Sequence, residues 1–173
     1  MINALLLALA CTAPDSSEPQ DTQVLDTAPE ELPRRELPDG VDDAFSQQAC
    51  GLFEETGEAM VIAGSEAEAG QALIVPSGDT LVHRLELPES GPGYLTVEVP
   101  EWMSTIRFFA DEQATYSIDH VDAEELTGIR RAGACPDTEI HDNRYAFHAW
   151  GSYVLRFDED SPREIWFVAL IES

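Results

Sequence analysis

The chain has no lysine. Its nine basic residues are all arginines, set against 34 acids in 173 residues. That absence removes Schiff-base lysines, phosphate-loop lysines and Ser–Lys dyads together. Also missing are a Cys-x-x-Cys, an HExxH and a Gly-rich phosphate loop. "GSEAEAG" (64–70) lacks the Gly-x-Ser-x-Gly order of a nucleophile elbow. A paired-carboxylate hydrolase is the catalytic alternative left, because acids occur everywhere. The reading is therefore of a non-enzyme. Basic surface is scarce too, and the formal net charge is -25. Such a field repels nucleic-acid phosphates and anionic bilayers, so no nucleic-acid partner is expected. A long apolar run is absent near the start: Ile2 to Ala10, broken by Asn3, falls short of the roughly 20 residues that a spanning helix needs.

What stands there instead is "LLLALACTAPDSSEP" (5–19), an apolar run that stops at one cysteine. Its length and small terminal residues fit the apolar core of a secretory signal. Ala8-Leu9-Ala10-Cys11 resembles the lipobox of bacterial lipoproteins, with Ala8 where that family prefers Leu. The resemblance implies cleavage before Cys11, a diacylglycerol on its sulfur and a membrane partner through that anchor. Thr12, in place of a retention Asp, implies the outer membrane. Plain secretion, with an incidental cysteine, is the alternative.

The segment 11–44 follows as a tether. Thr12 to Ala44 carries five of the eleven prolines and ten acids against Arg34 and Arg35. Its few apolar residues keep neither helical nor strand period, so it cannot offset its own ordering entropy. It is expected to be a disordered, self-repelling leash. With Cys11 lipidated, Cys50 and Cys135 remain, and an even remainder in an oxidising compartment points to a disulfide.

Residues 45–173 read as one domain of about eight strands. Short apolar runs alternate with turns, as in an all-β antiparallel sandwich. Leu81, His83, Leu85 and Leu87 share one strand face; Leu95, Val97 and Val99 share another. "STIRFFA" (104–110) and "ATYSID" (114–119) flank "DEQ" as a hairpin, and "RYAFHAWGSYVLRF" (144–157) is two strands bent at Trp150-Gly151. "REIWFVALI" (163–171), apolar on both faces, is a central strand. "VDAEELTG" (121–128) suggests a helical turn capped by Asp122. "WGSYVLRF" (150–157) resembles a phrase near the end of bacterial pre-peptidase C-terminal-type domains, which implies a jelly-roll-like sandwich.

Candidate ligand residues are few. His141 and His148, near Asp137, Glu139 and Asp142, are the weak metal candidates. Seven residues along a strand would set them on opposite faces, with His141 exposed and His148 in the sheet. His83 is expected as a hydrogen-bonded core histidine, and His120 as exposed. No cofactor is expected. Calcium is the alternative, since "DGVDD" (39–43), "DHVDAEE" (119–125) and "DED" (158–160) cluster carboxylates without an EF-hand order. Trp102 and Trp150 are the weak ligand-binding candidates, with core or rim packing the default; Trp166 belongs to the core. The whole reads as a lipid-anchored envelope protein whose sandwich binds a protein partner or a polysaccharide. A calcium- or metal-dependent module and a small secreted hydrolase are the alternatives.

Overall fold

Strict alternation in "YLTVEV" sets the pattern of the domain: Leu95, Val97 and Val99 are fully buried, while Tyr94 and Glu98 on the reverse face reach solvent. The computed structural model describes residues 43–54, 57–76, 81–135 and 138–172. Cys11, the signal and the tether up to residue 42 lie outside them.

The described elements are helix α1 (Ala44–Leu52), β1 (Glu58–Val61), a 3-10 helix (Glu66–Gln71), β2 (Leu73–Ile74), β3 (His83–Glu86), β4 (Gly93–Val99), β5 (Ser104–Ala110), β6 (Tyr116–Ser117), β7 (Ala123–Arg131), β8 (His141–Phe147), β9 (Gly151–Phe157) and β10 (Glu164–Glu172). Ten strands form two sheets, in the orders β1-β3-β10-β5-β8-β7 and β2-β4-β9-β6. From β3 to β6 the chain alternates between sheets at every step. The run β3-β10-β5-β8 facing β4-β9-β6 is the strand order of a jelly roll. β7 departs from it by pairing with β8 in the larger sheet. The core pairings are antiparallel, but β1 runs parallel to β3 and β2 parallel to β4 at the edges.

Two strands do meet at Trp150-Gly151, as expected, and they lie in different sheets. Three local expectations are corrected. "DEQ" does not close a hairpin: β5 and β6 belong to different sheets, so the segment between them is an arch across the core. "VDAEELTG" is extended, because β7 finds a ladder on β8 that outweighs its local helical leaning. Asp43 and Ala44, read as tether, begin α1 instead: the Asp43 carboxylate accepts from the Ser46 amide at 2.9 Å as an N-cap.

Two apolar clusters result. The larger fills the space between the sheets. Phe108 stacks on Phe167 at 5.6 Å, and Tyr116 and Phe157 meet Phe167 edge-on. The smaller lies on the outer face of the six-stranded sheet, where α1 lays Ala49, Phe45 and Leu52 over Phe109, Val168, Leu170 and Ile140. This second cover explains why β10, bounded by β3 and β5, is apolar on both faces. The Cys50–Cys135 disulfide, with Cα atoms 5.6 Å apart, ties α1 to the segment before β8 and closes 85 residues. On the chain-entropy account such a closure stabilises the fold by roughly 4–5 kcal/mol. Trp166 is half-buried at the margin of this cluster. A Cβ on Gly57 would stand 2.9 Å from its ring, so only glycine lets the backbone pass there.

Candidate functional site

Register gathers three loops at one end of the sandwich. β4 ends at Val99 opposite Gly151; β5 begins at Ser104, and β7 at Ala123, each opposite Phe147. The segments 100–103, 118–122 and 148–150 therefore share that end. Pro100 lacks the amide that another ladder bond would need. Trp102 and Met103 follow, and Met103 takes the left-handed conformation at φ 59° that a side chain rarely adopts. Ser104 Oγ donates to the Glu101 carbonyl at 2.8 Å and closes the turn. The other two loops are tied to each other: the His148 amide donates to the Asp122 carbonyl at 2.8 Å. The Tyr153 hydroxyl donates to the Ala149 carbonyl at 2.7 Å, and the His120 ring meets Tyr153 edge-on at 4.8 Å.

These tied loops hold large apolar side chains in water. Trp102 is 66%, Met103 72%, Val121 92% and Trp150 61% exposed. The expected core or rim packing of Trp102 and Trp150 does not occur, because both sit in turns beyond the last ladder pair of their strands. Around them stand Glu101, Asp119, Asp122 and Glu124, all at least partly exposed. The result is an apolar tip with an acidic rim, on loops fixed by hydrogen bonds rather than left free.

The histidines fall the other way round from expectation. His141 is buried, 5% exposed, because β8 begins with it and turns it inward beside Ala110. His148 lies one residue past the end of β8 and is exposed, with Nε2 3.5 Å from Glu124 Oε2. They do not converge. His141 Nε2 approaches Glu139 at 3.4 Å, while its Nδ1 has no hydrogen-bond partner among the described residues. His83 is half-buried rather than fully packed, and its Nδ1 is also without a partner there. Burial holds its pKa below the usual histidine value, against the opposing charge of Glu58. Among the described residues no group of three or more His, Cys, Asp or Glu is placed to hold a metal ion.

A buried ion network, which the sequence did not suggest, anchors α1. Arg107 lies outward on β5 beneath the helix and is wholly buried. Its Nε donates to Asp142 Oδ2 at 2.5 Å, Nη1 to both Asp43 oxygens at 2.7 and 2.8 Å, and Nη2 to Ser46 Oγ at 2.9 Å. The guanidinium also lies 4.9 Å from the Phe109 ring centroid. Arg130 forks onto Asp142 at 3.0–3.2 Å, and Arg144 reaches Glu172 at 2.6 Å. Three arginines thus face Asp43, Asp142 and Glu172, so the charges balance. Burial pushes the Asp43 carboxyl up, but the Ser46 amide and Arg107 outweigh it and hold it below the usual carboxylate range. Burial likewise works against the Arg107 charge, and Asp142 and Asp43 more than restore it. The outward position of Arg107 in "TIRFFA" reads as solvated; only the helix overhead makes it buried. With every strong donor satisfied, this cluster is a clasp rather than a reactive site.

Comparison with known protein families, curated proteins and solved structures finds no match.

Proposed function

We propose that the protein is a non-catalytic docking module of the cell envelope, anchored through Cys11, whose apolar tip engages a protein partner. The observation that carries the reading is the exposure of Trp102, Met103, Val121 and Trp150 on three loops at one end. Aromatic and Met side chains on a rigid frame make strong interface anchors, since little side-chain freedom is left to lose. The acidic rim selects a partner with an apolar pocket edged by basic residues, and it steers the encounter. The apolar start, the Pro-rich acidic segment and the Cys50–Cys135 bond support an exported, tethered domain.

The test is site-specific photocrosslinking in the native envelope. A crosslinker at Trp102 or Trp150 is expected to capture one discrete protein, which the Met103→Ser/Val121→Ser double variant loses. The same group at Val61, on the opposite end of the sandwich, is expected to capture nothing. Equal capture from both ends would overturn the tip as the docking surface. Mass spectrometry of the mature chain checks the anchor: Cys11 should be its first residue and acylated, and an unprocessed chain still carrying Met1 would remove it.

A further inference from the structure

The solvent face of the four-stranded sheet holds a groove of about 290 Å³, which shares Asp119 with the rim of the tip but none of the tip's apolar side chains. Tyr94, Arg156 and Ser117 form its floor as one transverse row: register sets Arg156 opposite Tyr94 on β4 and opposite Ser117 on β6. Val154 adds an aliphatic patch, and Glu66 from the 3-10 helix and Asp119 line the remainder. We propose that this groove is a saccharide site that takes an uncharged pyranose unit of a polysaccharide.

Three features of the row select that chemistry. The groove mixes a phenol ring and methyl groups with a hydroxyl, a guanidinium and two carboxylates. A sugar ring presents apolar C–H faces and an edge of vicinal hydroxyls, and it matches such a mixture. The carboxylates accept paired hydroxyl protons, and the Arg156 fork donates to ring and hydroxyl oxygens. Charge excludes the nearest alternative. Among the described residues Arg156 is the one cation lining the groove, and its Nη1 already donates to Asp158 at 2.7 Å. With Glu66 and Asp119 beside it, the lining is net negative, so uronate, sulfate and phosphate ligands are repelled. The site stands independently of the tip and of the anchor at Cys11.

The test is saturation-transfer NMR and titration calorimetry on the full chain. The probes are maltohexaose, cellohexaose, chitohexaose and polygalacturonate, each at about 1 mM, where weak single-ring sites are read. At least one neutral hexasaccharide is expected to bind, with transfer strongest at ring C–H protons, and polygalacturonate is not. Tyr94→Ala and Arg156→Ala should each weaken binding about tenfold or more. Tyr94→Phe keeps the ring and should lose less, and Val61→Ala, exposed and outside the groove, should bind as the native chain does. Circular dichroism on each variant separates lost binding from lost fold; Tyr94→Phe and Arg156→Ala, both on an exposed face, are the pair that must stay folded. Three results would overturn the proposal. They are no transfer to any neutral hexasaccharide, polygalacturonate binding at equal strength, and native affinity in both Tyr94→Ala and Arg156→Ala.

Discussion

The two sheets differ in what covers their outer faces. The six-stranded sheet is covered by α1 over the centre of its outer face, so Phe109, Val168 and Leu170 are as deeply buried as the residues between the sheets. Among the described residues the four-stranded sheet carries only the 3-10 helix near one edge, and Tyr94, Val154 and Arg156 stay within reach of water. One sheet therefore buries the centre of both its faces, and the other keeps one face open to solvent. The covered sheet explains how the fold is held, and the two proposed sites lie on the open sheet and the loop tip.

The largest test of this contrast is to remove the staple that holds the cover. Cys50→Ala/Cys135→Ala should lose roughly 4–5 kcal/mol of unfolding free energy, read by denaturant titration. A loss under about 1 kcal/mol would mean that α1 holds without the bond. Next is the clasp. Asp142→Ala leaves the buried Arg107 guanidinium short of its main partner, and should cost roughly 3 kcal/mol. Asp142→Asn keeps an acceptor and should cost less. A smaller pair compares the two outer faces directly. Leu170→Ala, 3% exposed beneath α1, should cost about 2 kcal/mol or more, while Val154→Ala on the open sheet should stay within about 0.5 kcal/mol. Equal costs would erase the distinction between the faces.

The smallest effects are those of pH, and their signs differ. The Asp43 carboxyl is depressed in the fold. Its contribution is present above the unfolded value of 3.8 and is lost as pH falls through the lower folded value, so the clasp loosens only in acid. Tyr145, in the core between the sheets, is pushed by burial from 10.0 up to about 12. Its contribution is whole below 10 and fades as pH rises from 10 toward 12. Thermal melting as a function of pH should show both margins. Tyr145→Phe should narrow the alkaline one, to which burial of the Tyr116 and Tyr153 hydroxyls also contributes, and leave the acid one; an unchanged alkaline margin would place its origin in those two alone.

Alternation was the most readable signal. In β4 it fixed which side chains face inward, because a two-residue period leaves one choice once one face is apolar. The doubly apolar β10 was legible as a central strand, but the cover on its outer face was not read from it. That cover, α1, was hard to see: "AFSQQACGL" has no charge and no strong cap except Asp43, and its apolar stripe gains meaning only against the sheet. β7 was misread because Asp122, Glu124 and Glu125 look like a helix start, while its pairing with β8 is remote in sequence. The inverted histidines have a simpler cause. Where β8 begins and ends decides which of the two is inside, and strand ends are the least legible feature of a pattern. For the candidate tip, Trp102 and Trp150 could be named, but not that Met103 and Val121 share their end.

The sequence alone determined a β-sandwich, the inward-facing residues of its alternating strands, a bond between Cys50 and Cys135, and a formal net charge of -25. These are properties of composition and short-range period. Only the tertiary structure decided that Arg107 is buried, that α1 covers the centre of one sheet, that four exposed apolar side chains share one end and that Tyr94 lies in line with Arg156 and Ser117. Each of those rests on residues far apart in the chain, placed by strand order and register, and no local pattern encodes which distant strand will lie alongside.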